Sequence, residues 1–315
     1  MKIIRKIIPF IVVGAIFTFL FENILRQWHS ITSISWNLNP GNLALFIIFL
    51  LPIYAIDALS WHLITRALGA RIDYLSNFKL WTFSNAGRFL PGSIWQYAGR
   101  VYLAHQKGMS KPKATTAVVL EALFVLLLGS VIILATLTFW QLPISIIQNR
   151  RMFTLITAVG ATLLLLLVIL LSNKLIAGYL IGLVKKLTKK DGAIEETKIP
   201  ISQLPLIAGS FFLQFLFGGL VLFFLSRSVV DLSSSLIPVF IGIYAASWLL
   251  GYITLVAPSG LGVQEVTLAT LLSSYMPFPV AVVIAILLRI SFLSSETLAL
   301  VFNLLRKAQL GIIDK

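Results

Sequence analysis

No cysteine occurs among the 315 residues. That excludes disulfides, thiolate metal sites and cysteine nucleophiles. Charge is scarce as well: Asp, Glu, Lys and Arg make up 11% of the chain, and acidic residues number 11 against 25 basic ones. Histidine occurs three times, as His29, His62 and His105, each near the end of an apolar run. No His-Glu-x-x-His, Walker A or Gly-x-Ser-x-Gly pattern is present, so these ready-made catalytic and nucleotide motifs are excluded. The stretch Gly260-Leu-Gly262 lacks the strand and helix frame of a dinucleotide fold. No metal or cofactor is therefore expected, and catalysis is not the expected role. An intramembrane transferase is the enzyme class left open.

What the chain has in abundance is hydrocarbon. Hydrophobic residues are 58% of the sequence, and the mean hydropathy is +0.97. Apolar runs that approach the ~20 residues of a membrane crossing lie at 7–25, 41–64, 114–139, 152–171, 204–225, 237–256 and 279–304. The expected fold is all-α, a polytopic membrane helical bundle in a single transmembrane domain over 1–315. The basic, then apolar, N-terminus lacks a small-residue cleavage site and reads as a retained first helix. A polar connection, 174–203, contains Ile176, Leu180, Leu183, Val184 and Leu187, spaced as in an interfacial amphipathic helix.

The net charge of +14 does not point to nucleic acid, because the basic residues sit in loops beside the spans. If Lys2, Arg5 and Lys6 are cytoplasmic, most basic loops, including Arg66, Arg71, Lys107 and Lys185 to Lys198, fall on the same side. Arg26, Arg150, Arg151 and Arg227 fall opposite. That bias predicts a cytoplasmic N-terminus. Arg306, Lys307 and Lys315 predict a cytoplasmic C-terminus, which requires an even number of crossings. Segment 258–276 is thus expected to cross as a thin or broken eighth span in the cytoplasmic (inner) membrane.

Two stretches break the hydrocarbon. One is Arg88-Phe-Leu-Pro-Gly-Ser-Ile-Trp-Gln-Tyr-Ala-Gly-Arg100, and the other is Pro258-Ser-Gly-Leu-Gly-Val-Gln-Glu265. Lipid solvates neither broken backbone nor arginine, so each must be buried in protein or line a wet cavity. Pro91, Gly92, Pro258, Gly260 and Gly262 are the expected structural breaks. The stretches resemble copies. Gln96 and Gln264 are 168 positions apart, and so are Glu121 and Arg289 in the apolar helices that follow. The expectation is an internal repeat with halves around 75–139 and 237–304, each a discontinuous segment plus a spanning helix.

Ions within the runs mark the candidate site. Glu121 and Arg289 lie at equivalent places with opposite charge, which invites a pair between the repeats, either lining one cavity or simply fixing helix register. Arg88 and Arg100 flank the first break. Arginine suits bidentate phosphate binding, and snorkelling to headgroups is the alternative, especially for Arg100. Gln96 and Arg100, four apart, share a helix face. Glu265 either binds a cation or arginine or caps its helix. Asp57, near Trp61 and His62, is expected to make a structural hydrogen bond, and Glu296 is also mid-span.

These residues resemble a known family. Asn85-Ala-Gly-Arg-Phe-Leu-Pro-Gly, Gln96, Arg100, Gly108-Met-Ser and Glu121 look like the first signature of the lysylphosphatidylglycerol synthase transmembrane family. Pro258-Ser-Gly-Leu-Gly-Val-Gln-Glu265, Ala281 and Leu288-Arg289 look like its second. Two positions depart from the pattern: Gln96 stands where Glu is common, and Ala122 follows Glu121 where Arg is frequent. The resemblance implies an integral inner-membrane protein of flippase-like type. In two-domain relatives this region translocates an aminoacylated phospholipid that a soluble domain makes, and archaeal relatives are linked to polyprenyl-linked sugars. No synthase domain is read in this sequence, so synthase activity is not expected.

The expected function is a flippase for a polar-headgroup phospholipid or polyprenyl-linked glycan. Arg88, Gln96, Arg100, Glu121, Gln264, Glu265 and Arg289 would bind the headgroup. The expected partners are membrane lipids with anionic or lipid-linked headgroups. The alternative is a non-transporting scaffold for a separate lipid-modifying synthase or glycosyltransferase.

Overall fold

Prolines and short polar side chains set where the helices begin. In a computed structural model, which describes residues 38–89, 94–140, 200–254 and 258–309, nine α-helices form and no strand occurs among the described residues. Helix α1 (Pro40–Leu50) starts on Asn39, whose side chain accepts from the Asn42 N–H at 3.1 Å. Asp73 caps α3 (Tyr74–Asn85) and Ser110 caps α5 (Lys111–Thr136) in the same way. Hydrogen bonds from Ser76 hold the Asp73 carboxyl below the ordinary carboxylate range. Pro40, Pro112, Pro205 and Pro238 each sit in a first helical turn, where the missing N–H costs nothing. Pro52 instead interrupts a span, dividing Pro40–Ala67 into α1 and α2 (Ile53–Ala67).

Five described helical stretches are long and apolar enough to cross a membrane: Pro40–Ala67, Lys111–Phe139, Leu204–Arg227, Ser234–Ile253 and Phe278–Leu305. They coincide with five of the seven expected runs; 7–25 and 152–171 lie outside the described residues, as does most of 174–203. The middle of the bundle is α6 (Leu204–Arg227), which packs on α1, α2, α5, α7 (Ile237–Ile253) and α9 (Phe278–Gln309). Phe211, Phe215 and Phe223 of α6 are fully buried. Small residues let α6 and α7 approach closely: a Cβ on Gly219 would fall 2.4 Å from the Ile241 Cα.

Both expected discontinuities are present as short helices. In the first segment α3 and α4 (Trp95–Gln106) have 12 residues each, and they pack on one another. At 1.5 Å per residue each rises about 18 Å, little more than half the hydrocarbon core. Between them lie the short 3₁₀ turn Ala86–Phe89 and residues 90–93; Pro91 and Gly92 are outside the described residues. In the second segment α8 (Val263–Leu272) has ten residues, about 15 Å, and packs against α7 and α9. Helix α8 is shorter than a full crossing, within the segment 258–276 expected to cross as a thin or broken span. Gly260 (φ 64°) and Gly262 (φ 86°) turn the chain into α8 in the left-handed region.

Candidate functional site

The repeat spacing reappears as position. Gln96 is the second residue of α4, and Gln264 is the second residue of α8. Glu121 and Arg289 stand ten and eleven residues into α5 and α9. At 1.5 Å per residue that is about 15 Å along each helix, half the thickness of a ~30 Å core. The turns Ala86–Phe89 and Pro258–Gly260 touch each other, so the two breaks meet inside the bundle.

A cavity of about 150 Å³ lies at that meeting point. Arg88, Gln96, Arg100, Glu121, Gln264, Glu265 and Arg289 all line it. Residues the sequence reading did not single out complete the wall, Tyr54, Gln214, Tyr244 and Tyr252 among them, together with Asp57 and with Asn85 and Tyr97 of the first stretch. Gln214 and Tyr244 come from α6 and α7, outside both breaks. The signal that could have found Gln214 is an amide inside a 24-residue apolar helix.

The expected pair between Glu121 and Arg289 does not form. Each ion is answered within its own repeat, and the polarity is reversed between the two. In the first repeat the base is on the short helix: Arg100 Nη1 donates to the Glu121 carboxylate. Arg100 Nη2 also donates to Asn85 Oδ1 at 3.0 Å, and its Nε donates to Ser84 Oγ at 3.2 Å. The guanidinium lies over the rings of Trp61 and Trp81. Arg100 is buried with its charge matched, which settles its placement against snorkelling. The Trp81 indole N–H donates to the other Glu121 oxygen at 3.4 Å.

In the second repeat the acid is on the short helix. Glu265 Oε2 accepts from the Gly262 N–H at 2.6 Å, so the carboxylate caps α8 where the helix end is positive. Its Oε1 lies 3.5 Å from Arg289 Nε. Arg289 Nη1 donates to Gln264 Oε1 at 2.9 Å, and Nη2 donates to the carbonyl and hydroxyl oxygens of Ser259, both at 3.0 Å. Ser259 has φ 55°, a left-handed conformation that is uncommon outside glycine. Arg289 thus holds the second break in a strained conformation that its two hydrogen bonds to one residue help to fix.

A third pair joins the repeats. Arg88 Nη2 donates to Glu296 Oε2 at 2.5 Å, linking the first break to α9. The Tyr54 hydroxyl donates to the Phe292 carbonyl at 3.1 Å on the same side. Arg88 Nε has no hydrogen-bond partner, although it is closed off from solvent. Asp57 does not fit the expected structural hydrogen bond at Oδ1. That oxygen is closed off and without a partner, and among the described residues Asp57 makes no ion pair. No group of three or more His, Cys, Asp or Glu with metal-binding placement occurs among the described residues.

Comparison with known proteins completes the description. A family model described as the lysylphosphatidylglycerol synthase TM region matches residues 6–293. A comparison with curated proteins returned no match.

Proposed function

The chain belongs to the lysylphosphatidylglycerol synthase TM region family, multi-pass membrane proteins of flippase-like, lipid-related type, and on that premise we propose that it moves lipids. The proposed cargo is a polar-headgroup phospholipid or a polyprenyl-linked glycan, carried across the cytoplasmic membrane without covalent chemistry. The observation that carries this reading is the polar cavity at the meeting of two backbone breaks, about half-way through a bundle of apolar helices. A bundle that only spans lipid has no use for such a cavity, because every polar group in it must be satisfied at a cost of several kcal/mol otherwise.

The headgroup would lie among Arg88, Gln96 and Gln264 while its tails stay in lipid. Arg88 is the most exposed of the three arginines, with 22% of its side chain accessible against 3% for Arg100 and 13% for Arg289. Arg100 and Arg289 have different work. Arg100 donates to Asn85, Ser84 and Glu121, and both Arg289 Nη atoms donate to Gln264 or Ser259, with Nε 3.5 Å from Glu265. They act as positioning residues that hold the walls.

Because cysteine is absent, single cysteines at Gln96, Ser259 and Gln264 give a clean accessibility scan. A small membrane-impermeant thiol reagent is expected to label them, and added lipid to protect them. A cysteine at Ile48, on an apolar outer face of α1, should stay unlabelled. The matching functional measurement is movement of a labelled lipid by purified protein in liposomes. Labelling without lipid protection or lipid movement would instead favour a scaffold for a separate synthase or glycosyltransferase.

The proposed orientation places both termini in the cytoplasm, from the distribution of basic loops. Reporter fusions at Lys186 and Lys315 are expected to give cytoplasmic signals. A periplasmic signal at Lys315 alone means an odd number of crossings.

A further inference from the structure

The described ions in and beside the cavity do not balance, once Glu296 next to its wall is counted. Arg100 is matched by Glu121, Arg289 by Glu265 and Arg88 by Glu296. Three cations are answered by three carboxylates, and Asp57 is left over. It sits on α2 within the span Pro40–Ala67, seventeen residues from Pro40, and lines the cavity. A carboxylate inside a span with one oxygen closed off and unpaired is costly to keep charged. Every fixed cation that borders this cavity among the described residues already has its own anion. No fixed cation among the described residues is left to neutralise Asp57.

We propose that Asp57 is a proton-binding site, and that its proton uptake and release are coupled to lipid movement through the cavity. The occupant is a proton rather than a metal ion because a metal needs several oxygen ligands at once. No cluster of that kind occurs among the described residues. In the step, a solvent proton bonds to a carboxylate oxygen of Asp57 while the cavity is open to one side. The same O–H bond breaks to return the proton to water when the cavity opens to the other side. No oxidant or reductant is involved.

The groups that face Asp57 set when this happens. On its own helix and on α3 they are the Tyr54 and Tyr74 phenols. The Ala86–Phe89 turn brings Arg88 and α4 brings Arg100, both favouring the anion; α5 brings Glu121 and α9 brings Glu296, both favouring the acid. Tyr244 faces it from α7, and α6 contributes the neutral amide of Gln214 to the same cavity. Arg88 is the pivot of the coupling. A phosphate that engages Arg88 weakens the hold of this cation on Asp57 and favours proton uptake, so an anionic headgroup and a proton enter together.

The proton site is tested without any transport assay. Infrared difference spectra of the purified protein between two pH values should contain a deuterium-sensitive carboxylic acid carbonyl band. Asp57→Asn should remove it, Asp57→Glu should shift it, and Asp231→Asn, at an exposed position away from the cavity, should leave it in place. A band unchanged in Asp57→Asn, or no acid band in the wild type, overturns the proposal. The coupling rests on the lipid-transport reading and has its own arm. In phosphatidylethanolamine–phosphatidylglycerol vesicles with trace fluorescent phosphatidylethanolamine, an imposed proton gradient should skew the distribution of the label. The skew is up to tenfold per pH unit for one proton per lipid. The Asn variant should equilibrate the label with no skew. An Asp57-dependent band without any lipid movement leaves the proton site standing and counts against the transport reading. Lipid movement indifferent to the gradient keeps the transport reading and overturns the coupling.

Discussion

Replacing Arg100 with alanine is expected to destabilise the protein by about 3–5 kcal/mol, because it strands Glu121 in the interior. The Arg100 and Glu121 side chains are 3% and 13% exposed, so solvent cannot take over from the lost partner. The same change also leaves Asn85 Oδ1 and Ser84 Oγ without their donor and removes a cation from between two tryptophans. Chemical or thermal unfolding of purified protein in one detergent measures the loss. Glu121→Ala should show the converse defect, and the double variant should lose less than the two single changes added together. The same cycle between Glu121 and Arg289 should show weaker coupling, because their bonds run to different partners. Equal coupling in both cycles would mean that the two repeats share one ion pair after all.

Gly260→Ala is the second large effect, and it acts through backbone. The added Cβ meets the Gly251 carbonyl oxygen at 2.7 Å and the Gly251 Cα at 2.8 Å, and neither can rotate away. The residue also has φ 64°, where a side chain costs ~1–2 kcal/mol. Forcing extra volume into a packed contact adds about 1–3 kcal/mol. The expected loss is therefore roughly 2–5 kcal/mol, with the second break pushed off α7. Lipid movement should fall with it, because Ser259 and Gln264 are set by the same turn. The control is Gly209→Ala, where a Cβ meets nothing within 4 Å. Alanine there has the better helix propensity, so stability should hold or rise slightly. If both variants unfold alike, the Gly260–Gly251 contact does not position the break.

The difference between these two glycines shows where sequence reading stops. Pro258 and Gly262 mark Gly260 as part of a break while Gly209 lies in an apolar run, but nothing local says that Gly260 is pressed against Gly251 of α7. Tyr244, Gln214 and Asp57 show the same limit. Each reads as an isolated polar residue in a span, and the structure brings all three to one cavity from three helices. The pairing of ions failed to follow from the repeat for a related reason. Equivalent positions in two copies need not touch; each long helix lies against the short helix of its own copy, so the nearer partner wins.

The sequence by itself determined the membrane class, the five described spans and the two interruptions. These depend on length, hydropathy and Pro-Gly punctuation, and a bilayer reads them one segment at a time. The spacing of 168 between Gln96 and Gln264, and between Glu121 and Arg289, is likewise read from the chain alone. The tertiary structure alone decided that the two breaks meet, which carboxylate answers which arginine, and that Asp57 has no ion partner among the described residues. Those outcomes depend on which helix faces lie together. In an almost uniformly apolar chain, few polar side chains mark which face turns inward, so packing settles what the pattern of residues cannot.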